Sequence, residues 1–180
     1  MNNDDDLSAL ELEAMLALGD DVAPPNGLRA ALLDVAAGPW WRGFARRAGA
    51  LLDLDDNAVA ALFASFDDAE RWADGPNPGL WLFHIDAGPE LAGAITGFVE
   101  MAAGATFPHH RHVGVESVLV LAGSIIDGER EHHVGAEVTM AGHTEHAVTA
   151  GAAGCVYLAV SRDGIAFDGE EPIGPDDPRA

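Results

Sequence analysis

The histidines of this chain are concentrated in one part of it. All 8 lie between positions 84 and 146, although the first 83 residues make up nearly half of the 180-residue sequence. His110 and His112 are two residues apart, so on a β-strand both imidazoles would point to the same face. Glu116 follows after a turn at Gly114, and His146 opens a later apolar segment. These spacings indicate that the four side chains can converge within a sheet.

Three imidazoles and one carboxylate form a ligand set that divalent transition metals prefer. We predict that His110, His112, Glu116 and His146 bind one such ion. Zinc is the ion that we expect first. Iron, manganese, nickel and copper also suit these ligands, and which of them is bound depends on the metals available in the cell. One or two coordination positions would remain for water or a small-molecule ligand. The alternative interpretation is that the four are polar residues of a hairpin that bind no metal.

Four other histidines are weaker candidates for a role at this site. His143 is a candidate for the open side of the metal or for a proton carrier, since an imidazole titrates near neutral pH; the alternative is a turn residue that faces solvent. Strand alternation directs His109 away from the ligand face. His132 and His133 lie beside the turn signal Asp127-Gly128, and we predict that both are exposed to solvent.

The elements that must position these ligands are strands. From Leu80 onward the sequence consists of short apolar or alternating runs that are interrupted by glycine. Many short strands with turn signals between them predict an all-β barrel or sandwich. The predicted runs are Trp81 to Ile85, Ile95 to Met101, Val115 to Leu121, Ile125 to Ile126, Glu137 to Met140, His146 to Thr149 and Val156 to Val160.

Four regions are expected along the chain. Residues 1–38 are predicted to form an acidic helical arm, 39–79 a helical segment that covers the sheet, 80–167 the β-barrel, and 168–180 a loose acidic tail. Short helices with one apolar stripe are marginal in water alone. The arm therefore needs a packing partner, which a second protein could supply.

Composition excludes several classes of function. With 30 acidic residues against 9 lysines and arginines and a formal charge of −21, direct nucleic-acid binding is not expected. No run of 18 apolar residues predicts a membrane span, and no signal peptide is recognised, so we expect a cytoplasmic protein. Cys155 is the only cysteine, which excludes an intramolecular disulfide and a zinc site built from cysteine pairs.

The ligand region matches a known motif. Gly104, five residues, His110-Arg111-His112, three residues, Glu116, six residues and Gly123 resemble the first cupin motif without a gap. Gly135 and His146 have the spacing of the second motif. There the usual proline and glycine are replaced by Ala141 and His143. The resemblance implies a cupin fold, a double-stranded β-helix or jelly-roll barrel, to which the predicted N-terminal helical arm is added.

A closer likeness covers residues 20–167. The string from Phe107 to Gly123, continuing into Met140 to His146, resembles the cupin half of ChrR-type anti-sigma factors. Ala23 to Arg29 is similar to the segment that joins the two halves of such proteins. Those proteins typically also carry a helical zinc domain built on histidine and cysteine, whereas no such residue precedes His84 in this chain.

This resemblance implies a metal-binding protein with a regulatory or sensory role. A sigma factor or another protein is the expected partner of the N-terminal helices, and a small molecule is a candidate ligand at the metal. The alternative is a small metal-dependent cupin enzyme of the dioxygenase or isomerase kind. A homodimer is also expected, because the segment from Trp40 to Phe66 carries more large apolar residues than one thin cover needs.

Overall fold

The computed structural model describes residues 39–177. The predicted arm, residues 1–38, lies outside the described residues. The α-helices of this part of the chain are α1 (Ala45–Leu52) and α2 (Asp56–Ala64), and 3₁₀ turns occupy Trp40–Phe44, Ala69–Arg71 and Pro89–Leu91. The nine strands within residues 39–177 are β1 (Ala73–Asp74), β2 (Leu80–His84), β3 (Ile95–Met101), β4 (Thr106–His112), β5 (Glu116–Asp127), β6 (Arg130–His133), β7 (Glu137–Met140), β8 (Glu145–Ser161) and β9 (Ile165–Phe167).

The strands form one curled antiparallel sheet around β8. This 17-residue strand pairs with β3, β4 and β5. β2 extends the sheet beyond β3, β9 pairs with β4, and β5 also pairs with β6 and β7. The prediction of a mainly β chain is confirmed. The first residues of β8 pair with β4, and its last residues pair with the beginning of β5. Because the sheet is curled, the end of β4 and the beginning of β5 nevertheless lie close together.

Two strands run through glycines that were predicted to end them. The runs Val115 to Leu121 and Ile125 to Ile126 belong to the single strand β5, whose register with β8 shifts on both sides of Gly123. Gly123 and Gly154 adopt left-handed φ angles of 65° and 76°. Residues with such angles disrupt the ladder locally and bend the strand without ending it, as in β-bulges. The glycines therefore curve the sheet at positions where turns between strands were predicted.

The helical segment covers the outer face of β2 and β3. Phe83 and Phe98 are neighbours across these strands and are 0% exposed. Phe63 of α2 lies 5.5 Å from Phe98 between ring centroids, and Phe66 lies 5.3 Å from it. Asp55 caps α2 by accepting a 2.9 Å hydrogen bond from the Ala58 amide. Burial of these rings fixes α2 on the sheet.

The end of the described chain is attached to the sheet at one point. The backbone N–H of Ile173 donates a 2.8 Å hydrogen bond to the carbonyl of Ile165, and the Ile173 side chain packs into the apolar interior. This bridge lies within the predicted loose tail, residues 168–180, of which the structure describes residues 168–177. Among residues 39–177, no helix is long and apolar enough to cross a membrane.

Candidate metal centre

Three strands bring the predicted ligands together. Strand β4 carries His110 and His112, Glu116 begins β5, and His146 is the second residue of β8. His110 is the direct cross-strand partner of His146. One potential ligand atom from each of the four residues lies within 4.8 Å of all the others, and the group is largely buried. The geometry is that of a group that could hold one metal ion.

The ring of His110 is oriented by the backbone. Its Nδ1 lies 2.9 Å from the carbonyl oxygen of Pro108, which can only accept a hydrogen bond. Nδ1 therefore carries the proton, and Nε2 presents its lone pair. Burial lowers the pKa of His110 and outweighs the smaller opposing effects of Pro108 and Glu116. The imidazole is thus neutral at neutral pH, which is the form that binds a metal.

Thr144 fixes the tautomer of His112. Its hydroxyl donates a 2.6 Å hydrogen bond to the carbonyl of Ala141, so at 3.1 Å from His112 Nδ1 it must accept the proton of that nitrogen. The backbone reinforces this arrangement, because the N–H of His112 donates to the Thr144 carbonyl at 2.9 Å. Nε2 of His112 is then the unprotonated nitrogen.

A carboxylate orients the third imidazole. Nδ1 of His146 lies 3.1 Å from Oδ1 of Asp127, the last residue of β5. An ionised carboxylate accepts and does not donate, so this contact places the His146 proton on Nδ1. Carboxylate and carbonyl partners of this kind hold metal-binding histidines in place and raise their basicity. All three rings therefore have a partner at Nδ1 and direct Nε2 toward Glu116.

Two of the converging nitrogens lack a partner. Nε2 of His112 and Nε2 of His146 are buried and make no hydrogen bond within residues 39–177. Oε2 of Glu116 lies 3.3 Å from the first and 3.9 Å from the second. In the tautomers just described these are three acceptors facing one another, which is costly in a buried site. A proton on one ring could satisfy one pair, whereas a metal ion among them satisfies all three.

Glu116 is held in its ionised form. Burial by itself would raise the pKa of its carboxyl, but the neighbouring imidazole of His112 and the hydrogen bond from Ser161 outweigh burial and lower it. Ser161 Oγ donates to Oε1 of Glu116. This leaves Oε2 for the side of the histidines. A metal ion bound among the four residues would favour the ionised carboxylate further.

A cavity of about 60 Å³ adjoins the ligand group. His110, Glu116 and His146 line one part of it, Tyr157 and His132 line other parts, and most of the remaining wall is apolar. The exposure predicted for His132 is wrong: the ring is half-buried and lines the cavity. It is the cross-strand partner of buried Ile125, so strand parity in β6 directs it inward.

The remaining candidates lie away from the cavity. His143 is exposed in the turn between β7 and β8 and does not line the cavity, so its suggested role stays a prediction. Its φ of 66° is the left-handed conformation that favours glycine, which the cupin motif has at this place. His109 is exposed and bonded through Nδ1 to Asp168 at 2.7 Å. His133 is exposed, as predicted.

The sequence analysis missed the residues that support the ligands. Asp127 was interpreted only as a turn residue, and Thr144 and Ser161 carried no recognised signal. Tyr157 was missed for a physical reason. If side chains alternated regularly along β8 from His146, Tyr157 would point outward. The irregular pairing in the middle of β8 reverses the alternation, so residues 157, 159 and 161 line the cavity.

We expect Asp127→Asn to weaken metal binding by about 10–100-fold, because the neutral amide is a poorer acceptor for the His146 proton and makes Nε2 less basic. Competition with a chromophoric chelator measures the affinity. Asp168→Asn is the matched control, since it alters an aspartate bonded to Nδ1 of His109, which is not a candidate ligand. Equal metal affinities in the two variants would contradict a role for Asp127 at the centre.

Known proteins with similar sequence or structure agree with this architecture. The family model Cupin_7, described as the ChrR cupin-like domain, matches residues 61–163. No curated protein sequence gives a significant match. A chain in the crystal structure of Rhodobacter sphaeroides SigE in complex with the anti-sigma ChrR has a TM-score of 0.53 at 21% identity, covering 85% of this chain and 76% of that chain.

A second solved structure shares the fold. The acetylacetone dioxygenase from Acinetobacter johnsonii has a TM-score of 0.51 at 15% identity, and the match covers 59% of this chain and 80% of that chain. At such identities the likeness shows the fold alone. The prediction of a cupin barrel is confirmed by it.

Proposed function

The chain belongs to the family of ChrR cupin-like domains, and we propose that it is a metal-binding cupin with a regulatory or sensory role. One divalent transition metal, zinc first among the candidates, is bound by His110, His112, Glu116 and His146. The observation that carries this proposal is the pair of buried Nε2 atoms without partners that face an ionised carboxylate. A bound ion would supply a Lewis acid beside the cavity.

The regulatory part of the proposal rests on family membership. The anti-sigma ChrR forms a complex with SigE in the structure named above. By analogy, a sigma factor or another protein would bind the N-terminal arm of this chain, residues 1–38, and the barrel would sense a small molecule at the metal. Such a regulator would act in the cytoplasm. The expected homodimer stays a prediction and would add a second copy of the barrel to the assembly.

Deleting residues 1–37 should leave one equivalent of metal per chain and abolish binding of the sigma factor. The reason is that every proposed ligand lies between positions 110 and 146, while the proposed partner surface lies in the arm. Elemental analysis measures the metal. Light scattering on mixtures of the chain with purified sigma factors of the source organism measures formation of the complex. The same measurement on the chain alone shows whether its mass is 18.7 kDa, as for a monomer, or twice that value.

Two results would contradict this division of roles. Loss of metal in the shortened chain would show that the arm and the barrel are one unit. Binding of the sigma factor by the shortened chain would place the partner surface on the barrel.

A metal-dependent enzyme of the dioxygenase or isomerase kind is the second candidate. The observation that favours it is the cavity beside the ligand group, which contains a phenol and an imidazole that are not ligands, Tyr157 and His132. An enzyme would convert the molecule bound there, whereas a sensor would bind and release it unchanged. Product analysis by mass spectrometry after incubation with a bound compound distinguishes the two.

A further inference from the structure

The wall of the cavity beside the ligand group carries a hydroxyl without a partner. Tyr157 is the only tyrosine of the chain, its side chain is 6% exposed, and it lines the cavity. Within residues 39–177 the hydroxyl makes no hydrogen bond. The fully enclosed polar atoms that lack a partner there are Nε2 of His112 and Nε2 of His146, so the hydroxyl is not fully enclosed. The oxygen is therefore accessible from the cavity. A polar group in that position is available to a ligand.

Tyr157 is a donor rather than an anion at neutral pH. Burial raises its pKa well above the ordinary value, and the negative charge of Glu116 raises it further. The phenol keeps its proton and offers one O–H. A ligand that accepts this hydrogen bond needs an oxygen with lone pairs, and an anionic oxygen forms the stronger bond.

The size of the cavity limits the ligand. A water-sized group needs about 10–15 Å³ of such space, so about 60 Å³ holds about four to six non-hydrogen atoms. Apart from the polar groups already named, the wall is mainly aliphatic, with Val99, Val138 and Met140 among its members. A ligand of this size that touches both Tyr157 and the metal has one polar end and a short apolar end.

Charge decides between a neutral and an anionic ligand. A divalent ion bound by three neutral imidazoles and one carboxylate keeps one positive charge, which a monoanion neutralises. Neither lysine nor arginine lines the cavity, so a second negative charge on the ligand would be unpaired. The carboxylate of Asp127 also lines the cavity, but it is bonded to Nδ1 of His146 and is 29% exposed, so solvent screens its charge.

We propose that the cavity binds a monocarboxylate of two to four carbons, with one carboxylate oxygen on the metal and the other accepting a hydrogen bond from Tyr157. This proposal rests on the proposed metal site and adds the class of ligand to it. Tyr157 selects the ligand, and Ala159, two residues along the same face of β8, leaves the room for its alkyl chain.

The test uses the full-length protein loaded with Co(II), whose visible absorption changes when a ligand enters its coordination shell. Titration with propionate should perturb the spectrum to saturation, while propionamide, equal in size but neutral, and octanoate, too long for the cavity, should not. Tyr157→Phe should weaken propionate binding about tenfold or more, since hydrogen bonds to charged groups contribute that much. Its metal content should be unchanged.

Two further variants separate recognition from folding. Cys155→Ala alters a buried residue of β8 that does not line the cavity, and it should bind propionate like the unmodified protein. Ala159→Val narrows the cavity and should prevent propionate binding while metal is retained. Melting temperatures of all variants show whether each one is folded.

The possible failures are distinguishable. A protein that does not bind Co(II) contradicts the proposed function itself. A Co(II)-loaded protein whose spectrum no short carboxylate changes, or that binds propionamide as well as propionate, overturns the ligand class and leaves the metal site in place. Propionate binding that is equally strong in Tyr157→Phe overturns the role of Tyr157.

Discussion

Replacing His110 with alanine should lower the affinity for the metal by more than a hundredfold. The imidazole is 3% exposed, has its Nδ1 committed to Pro108 and presents Nε2 to the other ligands. Loss of a residue that only orients a ligand typically costs about 10–100-fold in affinity, and loss of a ligand itself should exceed that range. Elemental analysis after dialysis, together with chelator competition, measures the effect.

The control for this variant is the neighbouring residue. His109→Ala removes an identical side chain from the same strand, but His109 is exposed and bonded to Asp168 on the opposite face. It should retain the full metal content. The His110→Ala variant should still fold, because aliphatic and aromatic residues from most of the strands supply the core. Full occupancy in His110→Ala would refute its assignment as a ligand.

Gly123→Ala should be among the most destabilising substitutions of a small residue in the barrel. At its φ of 65° a side chain is strained by about 1–2 kcal/mol. A β-carbon there would also lie 2.0 Å from the carbonyl oxygen of Gly154, so the bulge that joins β5 and β8 would have to move. Overpacking of this kind typically costs about 1–3 kcal/mol more. Urea unfolding with a chelator present measures the free energy without a contribution from bound metal.

Gly128→Ala separates strain from collision. Gly128 has a similar φ of 58°, but a β-carbon built on it meets nothing within 4 Å. It should show the strain alone, so the difference between the two variants is the cost of displacing the bulge. Equal losses of stability would show that the contact between Gly123 and Gly154 relaxes without cost.

Much of the ligand group could be predicted from the sequence, because strand parity is a local rule. His110 and His112 face inward and His109 faces outward, as alternation requires. Glu116 and His146 were predicted as ligands from their spacing, and β5 and β8 bring them to β4. Whether the four bind a metal stays a prediction that the variants above test.

What could not be predicted depends on pairing between distant strands. Alternation holds only until a bulge reverses it, and in β8 the reversal between His146 and Tyr157 follows from register shifts against β5. The inward position of His132 likewise follows from its pairing with Ile125. The partners of the ligands, Asp127 and Thr144, are too far along the chain from their histidines for a local pattern to reveal them.

Strand β8 makes the ligand group part of the most extensively hydrogen-bonded element of the barrel. His146 lies near one end of this strand, and Ser161, which holds Glu116, lies at the other. Both ends are bonded to strands on two sides. Displacing either residue by local opening would break part of the ladder that defines the fold, and such openings are rare events. A metal held there would therefore exchange slowly and would join the ends of β4, β5 and β8 as a cross-link does.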